Sequence, residues 1–140
     1  MFNSAPKQNY ENSREISANE SLELALTIVE AAADRKGDNI LLLKVSDVTY
    51  LADYFVIITG YSNVQIRAIY QAIAEKAELD CQRYASRVEG QSEASWILMD
   101  YGDAIVHILK PKERDFYNLE AFWGHGEQID ISELTGEINN

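Results

Sequence analysis

The segment from Ser95 to Pro111, SWILMDYGDAIVHILKP, places Trp96, Asp100, Asp103 and His107 within a run that is otherwise almost wholly apolar. Two carboxylates and an imidazole form an oxygen and nitrogen donor set that could hold Mg²⁺ or Mn²⁺. The spacing argues against it. His107 stands two strand pairs from a turn at Asp100–Asp103, about 7–10 Å away by strand rise. A histidine beside a tryptophan fits a packing and hydrogen-bonding role better. The stretch TGYSN, residues 59–63, precedes a helical pattern, and free N–H groups at a helix start could cradle a phosphate. Nucleotidyl transfer would also need paired carboxylates for metal ions. No Asp-x-Asp or Asp-x-Glu pair occurs on the next candidate strand. Cys81 is the only cysteine, which excludes an internal disulfide and a cysteine-based metal site. Nothing around Cys81 suggests activation, and His107 and His125 are the only histidines. The chain therefore reads as a domain without catalytic residues, metal or cofactor.

The same segment reads as a β-hairpin. With Asp100-Tyr101-Gly102-Asp103 as the turn, Gly102 supplies the positive φ. Trp96 then faces His107, Leu98 faces Ile105, and Asp100 sits beside Asp103. These six share one side of the sheet, because side chains alternate. Ile97, Met99, Ala104, Val106 and Ile108 share the other side, which must be core. Like charges placed opposite each other cost roughly 0.2–1 kcal/mol. A hairpin shaped only for stability would avoid that pair. A side combining Trp96 and Leu98 with two carboxylates suits a partner that brings a pocket and cations. The alternative is that a helix of the same chain covers Trp96 while the aspartates sit at an exposed turn.

Other elements must hold this hairpin. Residues 1–17 are polar and read as a flexible leader, with no signal or transit peptide pattern. Ser17-Ala-Asn-Glu20 fits a capping box that opens a helix with Leu22, Ala25, Leu26, Val29 and Ala32 at helical spacing and Gly37 as its stop. Residues 39–45 and 53–59 read as buried strands. Ser62-Asn-Val-Gln65 repeats the capping box before a helix whose stripe is Ile66, Ile69, Ile73 and Ala77. A short strand is expected near Tyr84–Val88, and an aromatic-rich helix over Lys112–Trp123. Residues 125–140 read as an acidic, mobile or loosely docked tail. The expected fold is α/β (α+β), with a mixed sheet flanked by helices in one domain over residues 18–124.

Twelve basic and 23 acidic residues give a net charge of −11. Coating nucleic acid requires Lys and Arg to neutralise phosphates, so direct sequence-specific nucleic-acid binding is not expected. A basic partner is favoured, although acidity also serves solubility. No apolar run reaches the roughly 18 residues of a membrane span. A single cysteine fits a reducing cytoplasm.

Three blocks carry a resemblance: ADYFVIITGYSNVQIRAI, VEGQSEASWILMDYGDAIVHI and RDFYNLEAFW. In that order they resemble the ribosomal silencing factor (RsfS, Iojap-related) family over roughly Ser17 to Trp123. The resemblance implies a nucleotidyltransferase-like fold without catalysis. It implies binding to the large ribosomal subunit through ribosomal protein L-fourteen, obstruction of subunit joining, and lower translation when nutrients are scarce. It also implies a homodimer when free. The family's Glu-Gly, Trp and Asp-x-Gly-Asp positions fall on Glu89, Gly90, Trp96, Asp100, Gly102 and Asp103, with Tyr101 between. The partner-binding set expected from this is Glu89, Trp96, Leu98, Asp100, Tyr101, Gly102 and Asp103. Tyr117, Leu119, Glu120 and Trp123 match the family's last helix. Of these, Tyr117, Leu119 and Trp123 are expected in the core or at a dimer contact. A large-subunit assembly factor and a metal-dependent nucleotidyltransferase are the alternative functions. The acidic tail is expected to lie outside the family pattern.

Overall fold

The computed structural model describes residues 7–122 and 125–136, with side chains over 18–119, 121 and 125–136. In chain order the elements are α1 (Lys7–Asp34), β1 (Asp38–Lys44), β2 (Tyr54–Thr59), α2 (Asn63–Cys81), β3 (Arg87–Glu89), β4 (Trp96–Asp100), β5 (Ala104–Leu109), α3 (Pro111–Tyr117), α4 (Leu119–Phe122), β6 (Glu127–Ile129) and α5 (Ser132–Thr135). They form an α+β domain around one six-stranded mixed sheet, ordered β3-β4-β5-β2-β1-β6. Among the described residues, β2 and β5 are the one parallel pair.

The expected α2 forms as its sequence dictates. Ser62 caps it by accepting from the Gln65 N–H at 3.0 Å. Gln65 Oε1 accepts from the N–H of Tyr61 at 2.7 Å, one residue earlier than a standard capping box. Ile66, Ile69, Ile73 and Ala77 are fully buried, and each isoleucine contributes roughly 1.5–3 kcal/mol. α1 differs from expectation. It runs from Lys7, so Ser17 lies within the helix and not at its N-cap position. Its buried stripe is Leu24, Ala25, Ile28, Val29, Ala31 and Ala32, with Leu22 and Leu26 at the margin. The stripe is wide because α1 packs on both α2 and the sheet. The helix ends through Lys36 in the left-handed region (φ 63°), not through a glycine cap at Gly37.

Two further segments depart from the sequence reading. The aromatic helix is interrupted: Pro111 occupies its first turn, and Asn118 (φ 47°) closes α3 before the short α4. The C-terminal segment is docked. β6 pairs antiparallel with β1, and Ile131 is buried in the main core. Three residues are too few for alternation to reveal a strand, so β6 owes its existence to the edge of β1.

The sheet has two unlike faces. Val56, Ile58, Ile97, Met99, Val106 and Ile108 join α1 and α2 in the main core. The opposite face carries a smaller cluster of Leu43, Val45, Ala52, Phe55, Ile57 and Leu109, flanked by Trp96, Ile105 and Leu119. Among the described residues, Ala52 of the β1–β2 loop and Leu119 of α4 pack in or against it, and its β4 side borders a depression lined by Trp96 and Leu98.

Candidate docking face

The hairpin pairs Trp96 with Leu109, Leu98 with His107 and Asp100 with Ile105. The expected pairs are therefore displaced by two residues. The two-residue loop is Gly102-Asp103, closed by the Tyr101 N–H donating to the Ala104 carbonyl at 2.9 Å. Gly102 (φ 93°) holds the first central position, which a II′-type turn reserves for glycine. Such a shift preserves side-chain parity. Trp96, Leu98, Asp100, Ile105 and His107 do share one face, and Ile97, Met99, Val106 and Ile108 share the helix-covered one. The shift has a physical reason. It turns Tyr101 into a strand-end residue facing the main core, where it is 6% exposed.

Tyr101 is accordingly removed from the expected partner-binding set. Burial pushes its phenol up to about 12. Asp100 and Asp103 are not the opposed pair expected. Asp100 Oδ1 accepts from the Gly102 N–H at 2.8 Å. Asp103 is held by both Arg83 terminal nitrogens, at 2.6 and 3.1 Å, and by the Ser21 hydroxyl at 2.6 Å. Burial alone would raise the Asp103 carboxyl, but the bonds from Arg83 and Ser21 outweigh it and hold it below its usual range. Asp103 thus ties α1 and the segment after α2 to the hairpin turn, with its charge already neutralised. Asp100, Asp103 and His107 do not converge on a common point.

The other end of the hairpin is open. Glu89, Gly90, Glu93, Ser95, Trp96 and Leu98 line a depression of about 490 Å³. Its rim is the loop from Gly90 to Ser95, which α2 holds through Asn63 Nδ2 to the Glu93 carbonyl at 2.9 Å and Arg67 Nη2 to the Ser92 carbonyl at 2.7 Å. Gly90 (φ 90°) allows this loop to close on β4. A Cβ there would fall 2.0 Å from the Trp96 carbonyl oxygen. Glu89 and Glu93 are exposed, and Trp96 and Leu98 are half-buried. Arg87 bridges Glu89 at 3.0 Å and Asp100 more loosely at 3.8 Å, both on the surface. Alternation along the strands could not reveal Glu93 and Ser95, because they lie in a loop positioned from another element.

Rings connect this opening to the core. Phe55, His107, Trp96, Tyr117 and Phe116 follow one another with centroid separations of 6.0, 5.8, 4.8 and 4.9 Å. Phe55 is 2% exposed and Phe116 is 79% exposed. Tyr117 is therefore a surface residue that packs on Trp96, not a core residue, and Leu119 is half-buried beside the smaller cluster. Trp123 and the side chain of Glu120 lie outside the described residues. Trp96 Nε1 donates to His107 Nδ1 at 3.1 Å, the hydrogen-bonding role that the sequence suggested. Burial lowers His107 to about 4, so at neutral pH the imidazole is uncharged, with its proton on Nε2.

A half-buried indole beside Leu98 and two exposed carboxylates suits a protein partner that offers an apolar pocket and cations. A family model described as "Ribosomal silencing factor during starvation" matches residues 18–140. The chain belongs to the ribosomal silencing factor family. The match runs through β6 and α5, so the family pattern includes the C-terminal segment that the sequence had placed outside it.

The ribosomal silencing factor RsfS of Bacillus subtilis is 37% identical over 107 residues, covering 76% of this chain and 90% of that one. The RsfS of Zymomonas mobilis is 35% identical over 103 residues, covering 74% and 77%. The chloroplastic protein Iojap of maize is 37% identical over 113 residues, and the match covers 80% of this chain and 48% of the maize protein. A crystal structure of a Chromobacterium violaceum protein aligns with TM-score 0.71 and 33% identity, covering 78% of this chain and 89% of that one. In this silencing-factor chain, no helix among the described residues is long and apolar enough to cross a membrane.

Proposed function

We propose that this chain lowers translation by docking on the large ribosomal subunit through ribosomal protein L-fourteen and standing in the way of the small subunit. The observation that carries this reading is the open, acid-rimmed depression walled by Trp96 and Leu98. The anchor is the indole, whose burial in a partner pocket reaches the energetic scale of an interface hot spot. Glu89 and Glu93 meet Lys or Arg of the partner, and the net charge of −11 speeds the encounter with a basic surface. Silencing by this route is steric, with no covalent step, catalytic residue, metal or cofactor. L-fourteen as the contact, and a homodimer when free, rest on the family resemblance.

Light scattering on mixing purified large and small subunits tests the reading. The wild-type protein should suppress joining. The double variant Glu89→Lys/Glu93→Lys, changed only at exposed positions, should leave joining nearly intact. Equal suppression by both would overturn the docking face, and clear pyrophosphate release from nucleoside triphosphate with Mg²⁺ would overturn the non-enzymatic mechanism.

A further inference from the structure

We propose that His107 is a positioning residue for docking, which fixes the Trp96 indole in the wall of the depression before any partner arrives. The inference rests on the docking reading of Trp96. Trp96 lies at the first position of β4, where its neighbour along the open edge is a loop and not a strand. An indole at such a place turns about two side-chain torsions, and ordering it on binding costs affinity. Two contacts remove that freedom here. Tyr117 packs on the ring at 4.8 Å from α3. His107 accepts the indole N–H at 3.1 Å along a diagonal of the ladder, since its direct partner is Leu98.

The acceptor is itself packed into the sheet. His107 is 8% exposed and set edge-on to Phe55, which is sealed in the smaller cluster. The side chains beside it on this face, Phe55, Ile57, Leu98 and Trp96, carry no charge. The indole is thus referenced to the sheet and not to the exposed α3. A chemical consequence follows for the partner. The only hydrogen-bond donor of the indole is spent within the monomer. The partner pocket therefore needs no acceptor there and meets the ring with aliphatic groups or the flat face of a guanidinium.

The test uses full-length ¹⁵N-labelled protein and isolated large subunits. A through-hydrogen-bond coupling between Trp96 Nε1 and His107 Nδ1 is expected in the free protein, with the resonance identified by its loss in Trp96→Phe. His107→Asn keeps an acceptor at the Nδ1 position, whereas His107→Leu keeps apolar bulk and removes the acceptor. Sedimentation with large subunits should give Asn within about threefold of wild type and Leu weakened about tenfold or more, with both folded by circular dichroism. A mere packing role predicts the reverse order, because leucine suits the buried site better. Leu binding as well as wild type, or no measurable coupling, would overturn the positioning role and leave the docking face standing. Trp96→Ala binding as tightly as wild type would overturn the docking face and this inference with it.

Discussion

The two ends of the β4–β5 hairpin carry similar residues and put them to opposite uses. At the turn, Asp103 and Tyr101 supply a carboxylate and an aromatic ring, and the chain consumes both. Arg83 and Ser21 hold the acid, and the main core takes the ring. At the far end, Glu89, Glu93 and Trp96 supply the same kinds of group, yet the ring stays half-open and both acids are exposed. Residue type does not separate acids that the chain buries in its own ion pairs from acids that it leaves exposed. The separation comes from whether the chain itself brings a semi-buried cation to the spot.

The largest expected effect lies at the turn. Asp103→Ala removes the carboxylate that tethers Arg83 and Ser21 to the turn, leaving the Arg83 guanidinium with the Tyr101 carbonyl, and should lower unfolding free energy in urea by about 3 kcal/mol. The affinity of the folded fraction for large subunits should hardly change. Acid should produce a comparable loss through His107 at the other end. Its folded value near 4 lies below the ordinary 6.5, so between those pH values the unfolded chain binds the extra proton. Stability is then full above about pH 6.5 and falls on acidification toward pH 4, by on the order of 3 kcal/mol. His107→Asn should abolish that slope in urea titrations. Asp103 contributes in a lower window. Its carboxyl is held below 3.8, so its contribution is present above that pH and is lost only as pH falls through the folded value.

Smaller effects should appear in binding. Trp96→Ala should weaken sedimentation with large subunits by about 2 kcal/mol while the fold persists by circular dichroism. Loss of the fold would instead make Trp96 a core residue and erase the contrast between the two ends. Arg87→Ala should change stability by less than about 0.5 kcal/mol, because both its ion pairs lie at the surface.

The faces of the hairpin were legible in the sequence because parity survives a shift of the loop by one residue. The register was not legible, because the burial of Tyr101 decides it, and that depends on α1 and α2 covering the sheet. The stripe of α2 could be read directly, since α2 presents one narrow face. That of α1 could be read only in part, since it packs on two partners at once. Trp96 and Leu98 were evident as candidates on one face of the hairpin, and Glu89 through the family motif. Glu93 and the rim at Ser95 were not, because Asn63 and Arg67 of α2 place that loop, and no local period encodes so distant a tether.

Hydroxyl-radical footprinting of the protein, free and bound to large subunits, asks directly which end of the hairpin meets the ribosome. Protection should fall on Trp96, Tyr117 and Phe116, with Tyr50 and Leu51 near the turn unchanged. Protection confined to Tyr50 and Leu51, with Trp96 as reactive as before, would contradict the account.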